Sequence, residues 1–146
     1  MQDEPIARLV GAARRHIAQA VARRVRGHGL NVPRFWILIN LLEAPGLSLR
    51  DLARRLRTDE PVTSRLVASL KRKRLVSVRT TPQDRRRHAI ELSPRGTALA
   101  TALAPVAAEV RAGVEEGMSA EEKETLRRLL GRVIDNAVRL ERESKR

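Results

Sequence analysis

Two short helical segments and two strand patterns follow one another between residues 47 and 92 with very short connections. The first segment begins at Ser48, a residue type that caps helices, and Asp51 stands three residues later, as in a capping box. The second segment begins at Thr58 or Asp59, either of which can cap it. The spacing predicts a helix, a tight turn and a second helix, followed by a hairpin.

Alternation of apolar and polar residues predicts the two strands of this hairpin. The first strand pattern covers residues 75–79 and the second covers residues 88–92. The eight residues between them, 80–87, form a long connection for a hairpin, so we expect a projecting tip rather than a tight turn. A further short strand is expected near Leu47.

The second helix of the pair has one apolar face and one face of short polar and basic side chains. At about 100° per residue, the inward set is Thr63, Leu66, Val67 and Leu70. Val62 lies at the edge between the faces. The outward set is Pro61, Ser64, Arg65, Ala68 and Arg72.

Helices are also predicted before this module. An apolar stripe indicates a helix over residues 5–26, with Asp3 or Glu4 before Pro5 as its start signal. Asn31 caps the next helix, which reaches Leu42, has Pro33 in its first turn, and is apolar nearly all round. We therefore expect it to be the buried central helix.

Two longer helices are predicted after the hairpin. Ser93 followed by Pro94 starts the first of them, and Gly113 weakens its end. Ser119 with Glu122 forms a capping box for the second, which carries an apolar stripe. Its stripe residues are Leu126, Leu129, Leu130, Val133, Ala137 and Leu140.

These elements describe a mainly α protein with a small β-wing, a winged helix-turn-helix with long dimerisation helices at both ends. We assign residues 31–96 to the winged helix-turn-helix and residues 1–30 and 97–146 to a helical dimerisation region. Residues 113–146 contain eight acidic and eight basic residues, which suits packing against a partner helix. The sequence therefore predicts a homodimer.

Positive charge is concentrated in one part of the chain. Residues 65–87 hold nine Lys or Arg residues against one Asp, a local net charge of +8 out of +13 for the whole chain. Basic charge on one helix and one hairpin is the electrostatic footprint of a protein that binds duplex DNA. Single-strand binding needs aromatic platforms, and the chain has one Phe, one Trp and no Tyr.

Other classes of function are disfavoured. The chain has no cysteine, its three histidines have no metal-ligand spacing, and no phosphate-binding or nucleophile-elbow motif is present. We expect no enzyme activity, no metal and no cofactor. Because the N-terminus has no signal-peptide pattern and no apolar run approaches ~18 residues, we expect a soluble cytoplasmic protein without membrane contact.

Five short motifs occur in order between residues 47 and 96. They are Leu49-x-x-Leu-Ala53, Pro61 to Leu70, Leu75-Val76, Asp84-Arg85-Arg86 and Leu92 to Gly96. Their order and spacing resemble the MarR family of bacterial transcription regulators, and the similarity extends over residues 6–140. The resemblance implies dimeric repressors or activators that bind pseudo-palindromic operators and are often released by small aromatic or anionic ligands.

The sequence departs from the family pattern at several positions. Arg74 stands where the family commonly has glycine after the second helix of the pair, and a left-handed arginine there would cost about 1 kcal/mol or somewhat more. We therefore expect either that the turn differs or that the charge of Arg74 contacts phosphate. Thr63 occupies a position that is usually aliphatic, and Arg34 replaces a common glutamine.

The second helix of the pair is the expected recognition helix in the major groove. Arg65 is placed to contact guanine, Ser64 to reach a base or a phosphate, and Pro61 or Val62 to touch a thymine methyl. Five further basic residues are predicted to meet phosphates: Arg50, Lys71, Arg72, Lys73 and Arg79. The alternative for each is an ordinary solvated surface charge.

The basic run in the hairpin is expected to reach the minor groove. We favour Arg85 or Arg87 as the residue that enters it, because a narrow minor groove attracts guanidinium groups. The resemblance implies that Asp84 pairs with Arg86 and stiffens the tip.

Ligand candidates follow from their rough location in such a fold: Arg14, Arg15, His16, Arg34 and Trp36. Trp36 is alternatively a core residue, and His16 a surface or interface residue. The sequence as a whole predicts a dimeric, sequence-specific double-stranded DNA-binding repressor. The alternative is an architectural protein that binds DNA without sequence preference.

Overall fold

The computed structural model describes residues 3–81 and 84–145, without the side chains of Thr81 and of residues 84–87. The chain divides into two compact units, Met1–Val110 and Arg111–Arg146. Within the described residues there are six α-helices, one short 3-10 helix and a two-stranded antiparallel sheet.

The element bounds lie close to the predicted ones. The helices are α1 (Ile6–Val25), α2 (Val32–Glu43), α3 (Leu49–Leu56), α4 (Glu60–Arg72), α5 (Pro94–Val114) and α6 (Ala120–Glu143). The strands are β1 (Val76–Thr81) and β2 (Asp84–Leu92), and the 3-10 helix is Arg26–His28. The predicted mainly α fold with a small β-wing is confirmed.

Side-chain caps start most of the helices, as predicted. The side chain of Asn31 caps α2, that of Ser48 caps α3 and that of Asp59 caps α4. Each accepts a hydrogen bond from a backbone N–H of the first turn, which has no partner within the helix. Ser119 and Glu122 form the full reciprocal capping box of α6.

Helix α1 begins one residue later than predicted, and its predicted start signal provides no side-chain cap. Its N-cap residue is Pro5, which makes no side-chain hydrogen bond, so neither Asp3 nor Glu4 takes the capping position. Proline provides the fixed backbone φ that suits a helix start, even though it offers no acceptor side chain.

The hairpin is longer than predicted. β1 continues to Thr81 and β2 already begins at Asp84, so the predicted eight-residue connection over residues 80–87 is wrong. A register shift falls between Thr80 and Thr81. Residues 80–87 contain no apolar residue, and apolar alternation marks only strands with one buried face. The predicted strand near Leu47 is a single bridge, in which Ile90 N donates to Leu47 O at 2.8 Å.

Helix α2 occupies the centre of the Met1–Val110 unit. Phe35, Ile37 and Leu38 are completely buried, as predicted for a helix that is apolar nearly all round. The rings of Phe35 and Trp36 meet edge to face, with centroids 4.8 Å apart. Thr63 is also completely buried, and its hydroxyl donates to the backbone oxygen of Asp59 at 2.9 Å. That hydrogen bond gives the buried hydroxyl a partner. An aliphatic side chain could fill the same position.

Two arginines adopt left-handed backbone conformations at helix ends. Arg57 has φ 51° after α3, and Arg74 has φ 57° after α4. In each case the next residue, Thr58 or Leu75, donates its N–H to a carbonyl five residues earlier at 3.0 Å, as in a Schellman motif. The hydrogen bonds that end each helix therefore hold the arginine in a conformation that glycine adopts more readily. The turn at Arg74 thus keeps the left-handed conformation, so the alternative that the turn differs is not observed.

We expect Arg57→Gly to stabilise the protein by up to about 1 kcal/mol, because glycine carries no left-handed steric cost. Arg54→Gly, inside α3, is the matched control and should destabilise the protein by about 1 kcal/mol. Urea unfolding of both variants checks the opposite signs. A loss of stability in both would show that the backbone at Arg57 is not strained.

The start of α5 is fixed to the start of β1. Ser93 N donates to Leu75 O at 3.0 Å, and the Ser93 hydroxyl donates to Arg74 O at 2.7 Å. The same hydroxyl accepts from Gly96 N at 2.9 Å, as expected for the predicted cap. A Cβ atom on Gly96 would lie 1.9 Å from Leu75 O, so only glycine fits at this crossing.

The second unit, Arg111–Arg146, contains the last residues of α5 and all of α6. Glu115 accepts from Arg127 at 3.1 Å and contacts Lys123 at 3.3 Å. The hydrogen bond from Lys123, helped by Arg127, holds the pKa of Glu115 below its ordinary value. No residue of α6 is buried within this unit.

Candidate nucleic-acid interface

Helices α3 and α4 are joined by a turn of three residues, 57–59, which contains one left-handed arginine and one capping aspartate. Arg57 closes α3, and Asp59 accepts the N–H of Val62 at 2.8 Å to open α4. Leu52 and Ala53 of α3 are buried, as are Val67 and Leu70 of α4. The two helices therefore form a helix-turn-helix with a shared apolar side.

The opposite side of α4 carries the predicted outward residues, and we call it the recognition face. It consists of Pro61, Ser64, Arg65, Ala68 and Arg72, all of which are exposed. Val62 lies half-buried at its edge and Leu66 is partly buried, whereas Thr63 is completely buried. The predicted division of α4 into two faces is thus confirmed.

Several basic side chains on or near this face have no partner within the described part of the chain. Arg50, Arg65, Lys71 and Arg72 are exposed and make no side-chain hydrogen bond or ion pair with another described residue. Unpaired guanidinium and ammonium groups are free to contact an anionic partner. No side-chain hydrogen bond or ion pair with a described residue has to break first.

Arg79 is in a different position. Its guanidinium contacts both carboxylate oxygens of Glu91 at 2.5 Å, across the two strands of the wing. The hydrogen bond and the charge of Glu91 raise the pKa of Arg79 above its ordinary value. The side chain of Arg79 remains 68% exposed, so a phosphate contact would have to compete with Glu91 for the same charge.

The three wing arginines lie in β2, but their side chains fall outside the described residues. This applies to Arg85, Arg86 and Arg87 and to the predicted Asp84–Arg86 pair. Their assignment to the minor groove stays a prediction.

The predicted ligand residues are not brought to one site within the described structure. Arg14 and Arg15 line an open groove along α1 that reaches Val32. His16 is exposed and Trp36 packs against Phe35, and neither lines that groove. The ligand assignment also stays a prediction.

Arg34 has a structural contact that sequence reasoning missed. Its Nε donates to the hydroxyl of Ser69 at 2.5 Å, and Ser69 is a buried polar residue of α4. The contact joins the start of α2 to the recognition helix across 35 residues of sequence. Nothing in the sequence indicated it, because Ser69 is not among the predicted inward residues of α4.

The described residues contain neither a metal-ion cluster nor a bilayer-spanning helix. No group of three or more acidic or histidine side chains is arranged to hold a metal ion. No helix in that part of the chain combines the length and apolarity that a bilayer crossing requires.

Solved structures similar to this one are numerous. A probable transcriptional regulator from Pseudomonas aeruginosa is 28% identical, covers 91% of this chain and 99% of its own, and superposes with a TM-score of 0.74. MepR of S. aureus, solved in complex with DNA, is 23% identical, with coverage of 92% and 99% and a TM-score of 0.79.

BpsR of Bordetella bronchiseptica is 23% identical, with coverage of 90% and 94% and a TM-score of 0.75. Its structure concerns the regulation of its DNA binding by 6-hydroxynicotinic acid. No curated protein sequence is significantly similar to the chain.

The sequence model of the MarR family matches residues 28–87, the segment that contains α2, α3, α4 and β1. The same segment holds the recognition face and the unpaired basic side chains. Over residues 28–87 the chain is therefore similar to the MarR family of transcriptional regulators.

Proposed function

We propose that this chain is a dimeric, sequence-specific double-stranded DNA-binding transcription regulator that acts as a repressor. The observation that carries the proposal is the recognition face of α4, which is exposed, basic and free of acidic side chains. The fold shared with MepR, which was solved in complex with DNA, supports it. The partner is chromosomal DNA, so the protein works in the cytoplasm and binds rather than catalyses.

The residues that contact the DNA bases lie in the first two turns of α4. Arg65 is exposed and unpaired among the described residues, and its guanidinium can donate two parallel hydrogen bonds to guanine. Ser64 can donate to a base or a phosphate, and Pro61 or Val62 supplies apolar contact to a thymine methyl. These residues carry the sequence information.

Affinity comes mainly from phosphate contacts. Arg50, Lys71 and Arg72 are free to make them, because no described residue neutralises their charge. Arg79 can contact a phosphate only after its hydrogen bond to Glu91 breaks. In the wing, Arg85 or Arg87 enters the minor groove, with Arg86 held by Asp84.

The last helix is the proposed basis of dimerisation, together with residues 1–30. Within its own unit, α6 exposes 41% of Leu126, 43% of Leu129, 37% of Leu130 and 61% of Leu140. A row of leucines at helical spacing with no cover is typical of a helix that packs against a partner. A two-fold dimer would read a pseudo-palindromic site.

We expect Leu126→Glu combined with Leu130→Glu to convert the dimer to monomers, because two carboxylates would be buried at the interface. Arg128→Glu, on the opposite side of α6, changes the net charge by the same amount and should leave the dimer intact. Sedimentation velocity measures both. A double variant that still sediments as a dimer would place the interface elsewhere.

A small aromatic or anionic effector is proposed to release the DNA. The open groove along α1 offers Arg14 and Arg15 to an anionic group, and BpsR provides a related case of regulation by an aromatic acid. Such a ligand must prefer the form of the dimer that does not bind DNA.

The alternative function is architectural binding without sequence preference, which the net charge of +13 would equally support. Selection of binding sites from random duplexes, followed by titration of the best site and a scrambled version at about 150 mM salt, separates the two. A regulator should prefer the selected site by at least about 1,000-fold. Equal affinities would establish the architectural role.

A further inference from the structure

A second pocket lies where the end of α4, the loop before α2 and the start of α5 meet, with a volume of about 380 Å³. Its cationic and histidine lining is His28, Arg72, Lys73, Arg74 and Arg95. No acidic residue lines it within the described part of the chain. We call it the basic pocket.

The charges of the basic pocket are largely unneutralised. Arg72, Arg74 and Arg95 are exposed and have no side-chain hydrogen bond or ion pair with a described residue. Lys73 Nζ donates only to the backbone oxygen of Gly29, at 3.4 Å. Four permanent cations thus surround one cavity, where each repels the others until an anion enters.

The backbone holds this arrangement in place. Arg74 keeps a left-handed φ of 57°, and its carbonyl accepts the hydroxyl of Ser93 at 2.7 Å. A strained non-glycine residue persists only where the surroundings determine its conformation, and such residues cluster at binding sites. The charge at Arg74 is therefore positioned by the fold rather than left on a free loop.

The remaining lining strengthens the field of these charges. Leu30 and Leu75 are buried and Leu99 is half-buried, so the cavity has an apolar wall. Field lines from cations beside an apolar wall concentrate in the cavity. Guanidinium groups match the oxygens of phosphate, which accept several hydrogen bonds at once.

The pocket is also placed to meet DNA. Arg72 belongs both to its lining and to the recognition face, seven residues after Arg65, about 10 Å farther along the helix axis. The major groove is about 12 Å wide, so a phosphate at its edge comes within reach when Arg65 contacts a base.

We propose that the basic pocket is a phosphate-binding site formed by Lys73, Arg74 and Arg95. The phosphate comes either from the DNA backbone or from a small phosphate-bearing ligand. Binding of a DNA phosphate rests on the proposed function, whereas binding of a small phosphate-bearing ligand does not.

The test uses the full chain and the double variant Arg74→Gly, Arg95→Gln, which removes two cations. Glycine is the residue best suited to a left-handed φ, so the variant should fold. The control, Arg128→Gln with Arg139→Gln, removes two exposed cations of α6 that are remote from the pocket in sequence. Inorganic phosphate is titrated against each protein at constant ionic strength by amide NMR, and the salt dependence of DNA binding is measured for each.

If the pocket binds free phosphate, the amide signals of Gly29 and Leu75 should shift and saturate in the wild type and the control. They should not shift in the double variant. If the pocket binds only a DNA phosphate, inorganic phosphate should cause no saturable shift. The slope of log DNA affinity against log salt concentration should then be about 1.8 smaller in the double variant than in the control. The absence of both effects would overturn the proposal. A wild type that binds no DNA defeats the proposed function, and the NMR titration alone then decides whether the pocket binds phosphate.

Discussion

Arg65→Ala is expected to lower affinity for the selected DNA site by about 5- to 150-fold, which corresponds to about 1–3 kcal/mol. The side chain is exposed on the recognition face, so the variant breaks no hydrogen bond or ion pair with a described residue. The loss should appear as relaxed preference at one base pair in each half-site, because a bidentate contact to guanine is replaced by none. Competition binding against single-base variants of the site measures it.

Lys71→Ala is the matched control for that experiment. Lys71 is a neighbouring exposed cation assigned to phosphate, so its loss should weaken all duplexes alike and lower the salt slope by about one unit. Arg65→Ala should instead change the ratio between selected and scrambled DNA. Equal losses on both duplexes after Arg65→Ala would refute its role in base reading.

Gly96→Ala is expected to destabilise the protein by about 3 kcal/mol or more, at the upper end of overpacking effects. The added Cβ would meet the backbone oxygen of Leu75 at 1.9 Å, and no flexible side chain can move aside to make room. The start of α5 must shift away from β1, which also threatens the bond from Ser93 N to Leu75 O. Thermal unfolding should show a midpoint lower by roughly 6–12 °C.

Gly113→Ala provides the control in the same helix. A Cβ there meets nothing within 4 Å, so alanine should stabilise α5 by up to about 1 kcal/mol through its helix propensity. A Gly96→Ala protein with the wild-type midpoint would mean that β1 and α5 do not approach as closely as described.

Local signals in the sequence were sufficient for much of the fold. Asn31, Asp59 and Ser119 each start a helix where predicted, because a cap depends only on residues within one turn. The apolar run of α2 predicted its burial for a similar reason. The outward residues of α4 followed from helical periodicity alone.

Features that depend on distant contacts or on backbone pairing were not predictable in the same way. The extension of β1 to Thr81 and of β2 back to Asp84 rests on the backbone pair Thr81–Asp84, of which the polar sequence gives no sign. Arg57 follows α3 without the glycine that usually marks a left-handed end. The bond from Arg34 to Ser69 and the basic pocket join residues far apart in the chain.

Footprinting of the purified protein on its selected duplex tests the central claim most directly. A dimer that places one recognition helix in each of two major grooves should protect two half-sites on one face of the DNA, about 10 base pairs apart from centre to centre. Failure to form a salt-dependent complex with any duplex, or uniform protection without paired half-sites, would contradict the account.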